Sequence, residues 1–172
     1  MLTPDQALDE AIAEGMELAK DEAWETAFSG ARPRLPVLVR NLTKPASDYY
    51  LVDFRKADRS TGRMVLNPST GNADLVSGIE YDGETLPEFI GPGEVLARIP
   101  PLVYLDDGRQ VRVPVGTPQV ELVWAHCHQS QTMFEPFYRL LWTDGSLYLR
   151  IDGKFFDRLT STGLDAGDID IV

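Results

Sequence analysis

The sequence lacks most of the features by which a protein class is recognised from residues alone. Its 172 residues include one cysteine, Cys127, so no intramolecular disulfide can form and a reducing compartment is favoured. No stretch approaches the roughly 18 consecutive apolar residues that a membrane-spanning helix needs. The first residues lack the basic start and apolar run of a secretory signal. We therefore expect a cytoplasmic protein.

Positive charge is also scarce. The chain has 16 Lys and Arg against 27 Asp and Glu, which gives a formal net charge of -11. A surface of this sign repels phosphate backbones and anionic lipid headgroups, so we expect neither nucleic acid nor membrane partners. The acidic residues are spread along the chain, which favours a role in solubility. A basic peptide or protein partner is the alternative.

Local catalytic motifs are missing as well: no Gly-x-Ser-x-Gly, His-Glu-x-x-His or Cys-x-x-Cys occurs. The one cluster of ligand-type residues is His126-Cys127-His128, which holds both histidines and the only cysteine. Neighbouring residues of a strand point to opposite faces, so Cys127 should face away from the two histidines. Zinc requires three or four ligands. We favour an ordinary strand end and expect no metal and no cofactor; a metal site or a Cys–His catalytic site are the alternatives.

What is present indicates a packed α+β protein, since 43% of the residues are hydrophobic. Thr3, Pro4 and Gln6 form a capping-box pattern that predicts the start of a helix. Apolar residues then recur every three or four positions as far as Phe28, with Leu8, Ile12 and Met16 among them. This spacing predicts one long amphipathic helix from Pro4 to Phe28 that buries this face on a sheet.

After residue 33 the pattern changes to that of strands. The predicted strands are Leu35–Leu42, Tyr49–Phe54, Arg63–Leu66, Ala73–Val76, Leu102–Leu105, Gln110–Val115, Gln119–Ala125, Phe137–Trp142, Ser146–Ile151 and Lys154–Phe156. A Pro- and Gly-rich passage, Gly83 to Pro101, separates the two halves and contains a short predicted helix, Pro92–Arg98. The fold class is α+β, with the long helix packed on a curved antiparallel sheet. The predicted units are 1–90 and 91–172, and they either form one compact domain or are two related β-rich repeats.

A long helix followed by an antiparallel meander resembles cystatin-like folds. The stretch Val65 to Ala73, with Asn67 before the turn Thr70-Gly71, is similar to the strand–turn–strand of PepSY-type modules. The cystatin inhibitory loop is a Gln-x-Val-x-Gly hairpin, and Gln110 to Gly116 departs from its spacing, so that activity is not carried over. The resemblance implies a binding or scaffolding fold more often than an enzyme.

Three functions remain open from the sequence. The favoured hypothesis is a non-catalytic module that binds a peptide or protein. Its candidate contact residues are aromatic, because aromatic side chains dominate binding hot spots: Tyr49, Tyr50, Phe137, Tyr138 and Trp142. The alternatives are an enzyme or metal-binding protein with its site at His126-Cys127-His128, and a structural protein that forms a homodimer through its sheet.

The capping box gives a first prediction. Replacing Thr3 with Ala should lower the free energy of unfolding by about 0.5–2 kcal/mol, because the hydroxyl that accepts from a first-turn amide is lost. Urea unfolding measures the change. An unchanged midpoint would show that the helix start is frayed or the cap misplaced.

Overall fold

The computed structural model describes residues 1–78, 89–162 and the backbone of 170–171. The chain divides into two compact units, one made of residues 1–39 and 46–88 and the other of residues 40–45 and 89–172. In this division residues 40–45 and 89–90 belong to the second unit, whereas the predicted units are 1–90 and 91–172. The first part of the predicted Pro- and Gly-rich passage lies outside the described residues.

The first unit is a helix on an antiparallel sheet. Its elements are α1 (Pro4–Leu18), α2 (Glu25–Phe28), β1 (Arg32–Pro33), β2 (Val37–Asn41), β3 (Tyr49–Lys56), β4 (Arg59–Leu66) and β5 (Ala73–Gly78). The last two residues of β2 belong to the second unit. β3 lies centrally: β1 and the start of β2 pair with one of its edges, and β4 pairs with the other. β5 pairs with β4. β3 and β4, which contain the predicted strands Tyr49–Phe54 and Arg63–Leu66, form a hairpin.

Helix α1 begins as the sequence predicts. The Thr3 hydroxyl accepts from the Gln6 amide at 3.3 Å, and the Gln6 side chain accepts from the Thr3 amide at 2.9 Å. The buried face, however, is not the predicted one. Ile12 and Met16 are 40% and 59% exposed.

The residues that α1 buries are small: Ala7, Ala11 and Gly15. They follow each other at intervals of four and so lie on one face of the helix. Small side chains let the helix backbone approach the large residues of β3 and β4, and the resulting core contains Tyr50, Phe54 and Met64. The spacing of the large apolar residues therefore predicts the wrong face, because the helix packs closely on the sheet through its smallest side chains.

The predicted single helix from Pro4 to Phe28 is also wrong, since α1 ends at Leu18. The Asp21 carboxylate accepts from the Ala23 amide at 2.9 Å, and the amides of Lys20 and Asp21 bond to carbonyls only three residues back. Aspartate competes for backbone amides in this way and favours turns over helix interiors. The chain resumes helical structure only in α2.

The second unit is mainly a β-meander. Its elements are α3 (Pro92–Arg98), β6 (Leu102–Tyr104), β7 (Gln110–Arg112), β8 (Gln119–Trp124), β9 (Phe137–Trp142), β10 (Gly145–Arg150), β11 (Phe155–Phe156), β12 (Leu159–Thr160) and β13 (Asp170–Ile171). β8, β9, β10 and β11 pair in order, all antiparallel, while the last two residues of β2 run parallel to β8. β6 pairs with β7, and β12 with β13. The core contains Phe137, Tyr148 and Leu159.

The predicted α+β class is confirmed. Nine strands, β1–β5 and β8–β11, form a mostly antiparallel sheet that is not closed over the described residues, and a helix precedes it. Within the same part of the chain, no helix has the length and apolar character needed to cross a membrane.

The small-residue face of α1 gives a second prediction. A Cβ at Gly15 would lie 2.7 Å from Cε1 of the buried Phe54 ring, so the helix or the ring must shift. Gly15→Ala should therefore lower the free energy of unfolding by about 1–3 kcal/mol, although alanine is the better helix former.

Gly93 provides the matched control, because it also lies in a helix, α3, and no atom lies within 4 Å of a Cβ built there. Gly93→Ala should leave stability unchanged or raise it by up to about 1 kcal/mol. Urea midpoints that rise equally for both variants would contradict the close packing of α1.

Candidate functional site

The second unit contains an open cleft of about 350 Å³. Four segments form its walls: the β6–β7 turn, the β10–β11 hairpin, the residues between β11 and β12, and the loop after β8. The cleft is lined by Leu105, Asp106, Asp107, Arg109, His128, Gln129, Arg150, Phe155, Phe156, Asp157, Arg158 and Thr160. We call this the mixed-charge cleft, because it brings together three aspartates and three arginines.

Arg150, at the end of β10, is the most constrained side chain of the cleft. It is 6% exposed. Its Nε and Nη2 donate to the two carboxylate oxygens of Asp152 at 3.0 and 2.6 Å, and its Nη1 donates to the Gln129 carbonyl at 2.6 Å. The guanidinium also lies over the Phe156 ring, 5.7 Å from the centroid. Two-point bonding of this kind fixes both position and orientation.

The Arg150–Asp152 pair changes the acidity of both groups. Partial burial opposes ionisation of Asp152, but the hydrogen bonds and charge of Arg150 outweigh it, and the pKa of Asp152 is lowered. The hydrogen bond to Asp152 raises the pKa of Arg150. Because the aspartate pKa is lower in the folded chain, the pair stabilises the fold at neutral pH. That contribution is lost as the pH falls through the lowered pKa of Asp152.

A second ion-paired group holds the β6–β7 turn. Arg109 donates to Asp107 at 2.7 Å and to Asp157 at 2.9 Å, and Lys154 pairs with Asp106 at 3.1 Å. The backbone N–H and then the side chain of Arg109 lower the pKa of Asp107. These pairs connect the turn to both sides of β11.

Three hydrogen bonds join the loop after β8 to β12. Gln129 Oε1 accepts from the Thr160 amide at 2.9 Å, and Gln129 Nε2 donates to the Thr160 hydroxyl at 3.2 Å. The His128 amide donates to the Thr160 carbonyl at 3.0 Å. Arg150 also donates to the Gln129 carbonyl, so this wall of the cleft depends on the guanidinium of Arg150.

Two groups of the cleft keep unused bonding capacity within the described part of the chain. The imidazole of His128 makes no hydrogen bond there, and Arg158 makes no ion pair there; both side chains are exposed. The charge of Arg158 contributes to the lowered pKa of Asp107. His128 and Arg158 are therefore the donors that the cleft offers to a ligand.

The His126-Cys127-His128 triplet follows β8. Cys127 is 3% exposed in the core and forms an isolated bridge with Ser161, while His126 and His128 are exposed. Desolvation by burial raises the pKa of the Cys127 thiol. His126 lies within hydrogen-bond distance of Thr162, with 3.0 Å between its Nδ1 and the hydroxyl. Only His128 lines the cleft.

Over the described residues, His, Cys, Asp and Glu side chains form no group of three or more that is placed to hold a metal ion. The three residues of the triplet lie in a bend, an isolated bridge and a turn, and they do not converge: Cys127 is buried, whereas the two histidines are exposed.

The five aromatic contact candidates lie mostly in the cores. Tyr49, Tyr50, Phe137 and Tyr138 are at most 4% exposed, and Trp142 is half-buried. Burial raises the pKa of the Tyr49 hydroxyl. Because so little of the first four side chains reaches the surface, they serve packing in this structure and offer little contact area to a partner.

Sequence reasoning missed the residues that build the cleft, chiefly Arg109, Gln129, Arg150 and Arg158. One signal was present. Arg150 interrupts the apolar run Leu147–Ile151, and a charged residue within such a strand requires a partner when buried. The partner, Asp152, lies in the adjoining turn. The other contacts join distant segments and leave no local pattern.

Comparison of the chain with protein-family models, curated proteins and solved structures found no match. The resemblance to cystatin-like and PepSY-type folds therefore stays a prediction.

The position of Cys127 gives a third prediction. Ellman's reagent should modify the native chain at pH 7 at least about a hundredfold more slowly than the urea-unfolded chain, because the thiol is buried and protonated. As an internal reference, a Val115→Cys substitution places a second thiol at a fully exposed position. Rapid modification of native Cys127, at the rate of the introduced thiol in that variant, would indicate an accessible nucleophile.

Proposed function

We propose that the chain is a non-catalytic, cytoplasmic module that binds a peptide or a short segment of a protein in the mixed-charge cleft. The observation that supports this most directly is the preorganisation of the cleft. Arg109, Arg150 and Gln129 are already held by partners within the fold, whereas His128 and Arg158 remain available as donors. A site with fixed walls loses little conformational entropy when it binds a ligand.

The composition of the cleft supports a polar, peptide-like ligand. The half-buried Phe155 and the buried Phe156 line it beside charged groups. Its volume falls within the roughly 300–1,000 Å³ of ligand sites. Its three aspartates and three arginines cancel, although the chain as a whole carries -11. A segment that carries both signs of charge meets a complement for each: Asp106 and Asp107 on one wall, and Arg158 on another.

An enzyme centred on His126-Cys127-His128 receives less support. A thiol acts as a nucleophile through its thiolate, and the raised pKa of Cys127 disfavours that form. The thiol is also buried and directed away from both histidines.

The thiol content and the net charge of the chain support the proposed location and the proposed kind of partner. A single unpaired cysteine suits a reducing cytoplasm. The net charge of -11 favours protein partners over nucleic acid or membranes. Homodimerisation is the competing proposal, and β5 is the strand that would mediate it, because within the described residues it pairs only with β4 and its Leu75 is 43% exposed.

The fourth prediction tests the cleft with a phage-displayed library of random peptides. We expect the native chain to enrich peptides that carry acidic and basic residues together. Arg158→Glu should weaken binding of an enriched peptide at least about tenfold, since it replaces an unpaired donor with a like charge for the acidic group.

Arg112→Glu is the matched control, because Arg112 is exposed in the same unit but lies outside the cleft. It makes the same change in net charge and should leave affinity nearly unchanged. Failure to enrich any peptide, or equal weakening by both variants, would contradict the proposal.

A further inference from the structure

The first unit contains a second concave site with a different charge. A groove of about 560 Å³ is lined by Arg32, Arg34 and Arg55, and Asp58 is the one carboxylate among the described residues that line it. Gly30, Pro33 and Ala57 complete its lining. We call it the arginine groove. Three guanidinium groups gathered around one cavity stand out in a chain whose net charge is -11.

Strand pairing places these arginines together. β1 runs antiparallel to β3, and Arg32 is the direct cross-strand partner of Arg55. The amide of Arg34 donates to the Asp53 carbonyl at 2.8 Å, which holds the next part of the chain against β3. Like charges directly opposite each other on neighbouring strands destabilise a sheet. The fold tolerates this arrangement at the groove.

The groove arginines differ in how they are bonded within the described residues. Arg55 donates to the Asp58 carbonyl, and its Nε lies 4.0 Å from a carboxylate oxygen of Asp53. Arg32 is exposed and makes no hydrogen bond or ion pair within the described residues. Its guanidinium therefore keeps its donors available to a ligand.

The backbone beside the groove is irregular at two points. The register of β3 against β4 shifts between Phe54 and Arg55, and such bulges re-aim the side chain next to them. Ala57, in the tight turn that follows, has a φ of 51°, which non-glycine residues adopt rarely and at a cost. Both irregularities bring Arg55 and Asp58 to the groove, and strained backbone of this kind clusters at ligand sites.

From these observations we infer that the arginine groove binds a small molecule that carries two or more carboxylate or phosphate groups. Guanidinium groups form paired, charge-assisted hydrogen bonds with both kinds of oxyanion. Three arginines around one cavity suit a ligand with several such groups. Its negative charge would also relieve the repulsion between Arg32 and Arg55. A polyanionic backbone is disfavoured, because the acidic surface repels long phosphate chains.

The fifth prediction uses two probes, citrate for carboxylates and pyrophosphate for phosphates, each titrated at constant ionic strength. Calorimetry should show saturable binding of at least one, and the thermal midpoint should rise with the concentration of that anion. Binding of citrate alone identifies a polycarboxylate ligand, and binding of pyrophosphate alone identifies a phosphorylated one. Binding of both shows that the groove recognises the shared oxyanion.

Arg32→Gln removes the exposed guanidinium and should weaken binding at least about tenfold. Without ligand, the same variant should unfold at a higher temperature than the native chain, because the repulsion of Arg55 is relieved. Arg59→Gln is the control. Arg59 is exposed on the β3–β4 hairpin that also contains Arg55, but it lies outside the groove, so its loss should leave the affinity for the anion unchanged. No saturable binding of either anion, or an equal loss in both variants, would overturn the inference.

Discussion

The guanidinium of Arg150 connects the end of β10 to three other parts of the second unit. It binds both oxygens of Asp152 in the following turn, the Gln129 carbonyl of the loop after β8, and the face of Phe156 in β11. A buried cation is costly unless its donors are satisfied, so the segments that supply these acceptors are constrained to lie around it. Gln129 in turn holds Thr160, and the wall of the mixed-charge cleft follows from that arrangement.

The first unit buries an arginine in a different way. Arg63 of β4 is fully buried and lies directly opposite Asp53 of β3, with 3.2 Å between Nε and Oδ1. There the partner is fixed by sheet register, and Ser60 donates to the same carboxylate. That ion pair belongs to the sheet, whereas Arg150 lies at a strand end and faces a cavity. The difference explains why the cleft, and not the Asp53–Arg63 pair, supports a proposal about binding.

Local sequence signals predicted most of the strands and failed for the site. The limits of β9 match the aromatic and apolar stretch Phe137–Trp142, and those of α3 follow from Pro92 and Pro100; such signals act within a few residues. The face of α1 was mispredicted because Gly15 gains its importance only beside Phe54, which is distant in sequence. The cleft depends on pairs such as Arg109 with Asp157, 48 residues apart, and each partner alone is typical of an exposed turn.

The central claim is that Arg150 holds the wall of the cleft, and amide hydrogen exchange tests it most directly. In an Arg150→Met variant the Gln129 carbonyl loses a charge-assisted bond of about 1.5–3 kcal/mol, so exchange protection at the His128 and Thr160 amides should fall at least about tenfold. Protection in the β3–β4 hairpin of the first unit should not change. Unaltered protection at His128 and Thr160 would show that the wall stands without Arg150 and would contradict the account.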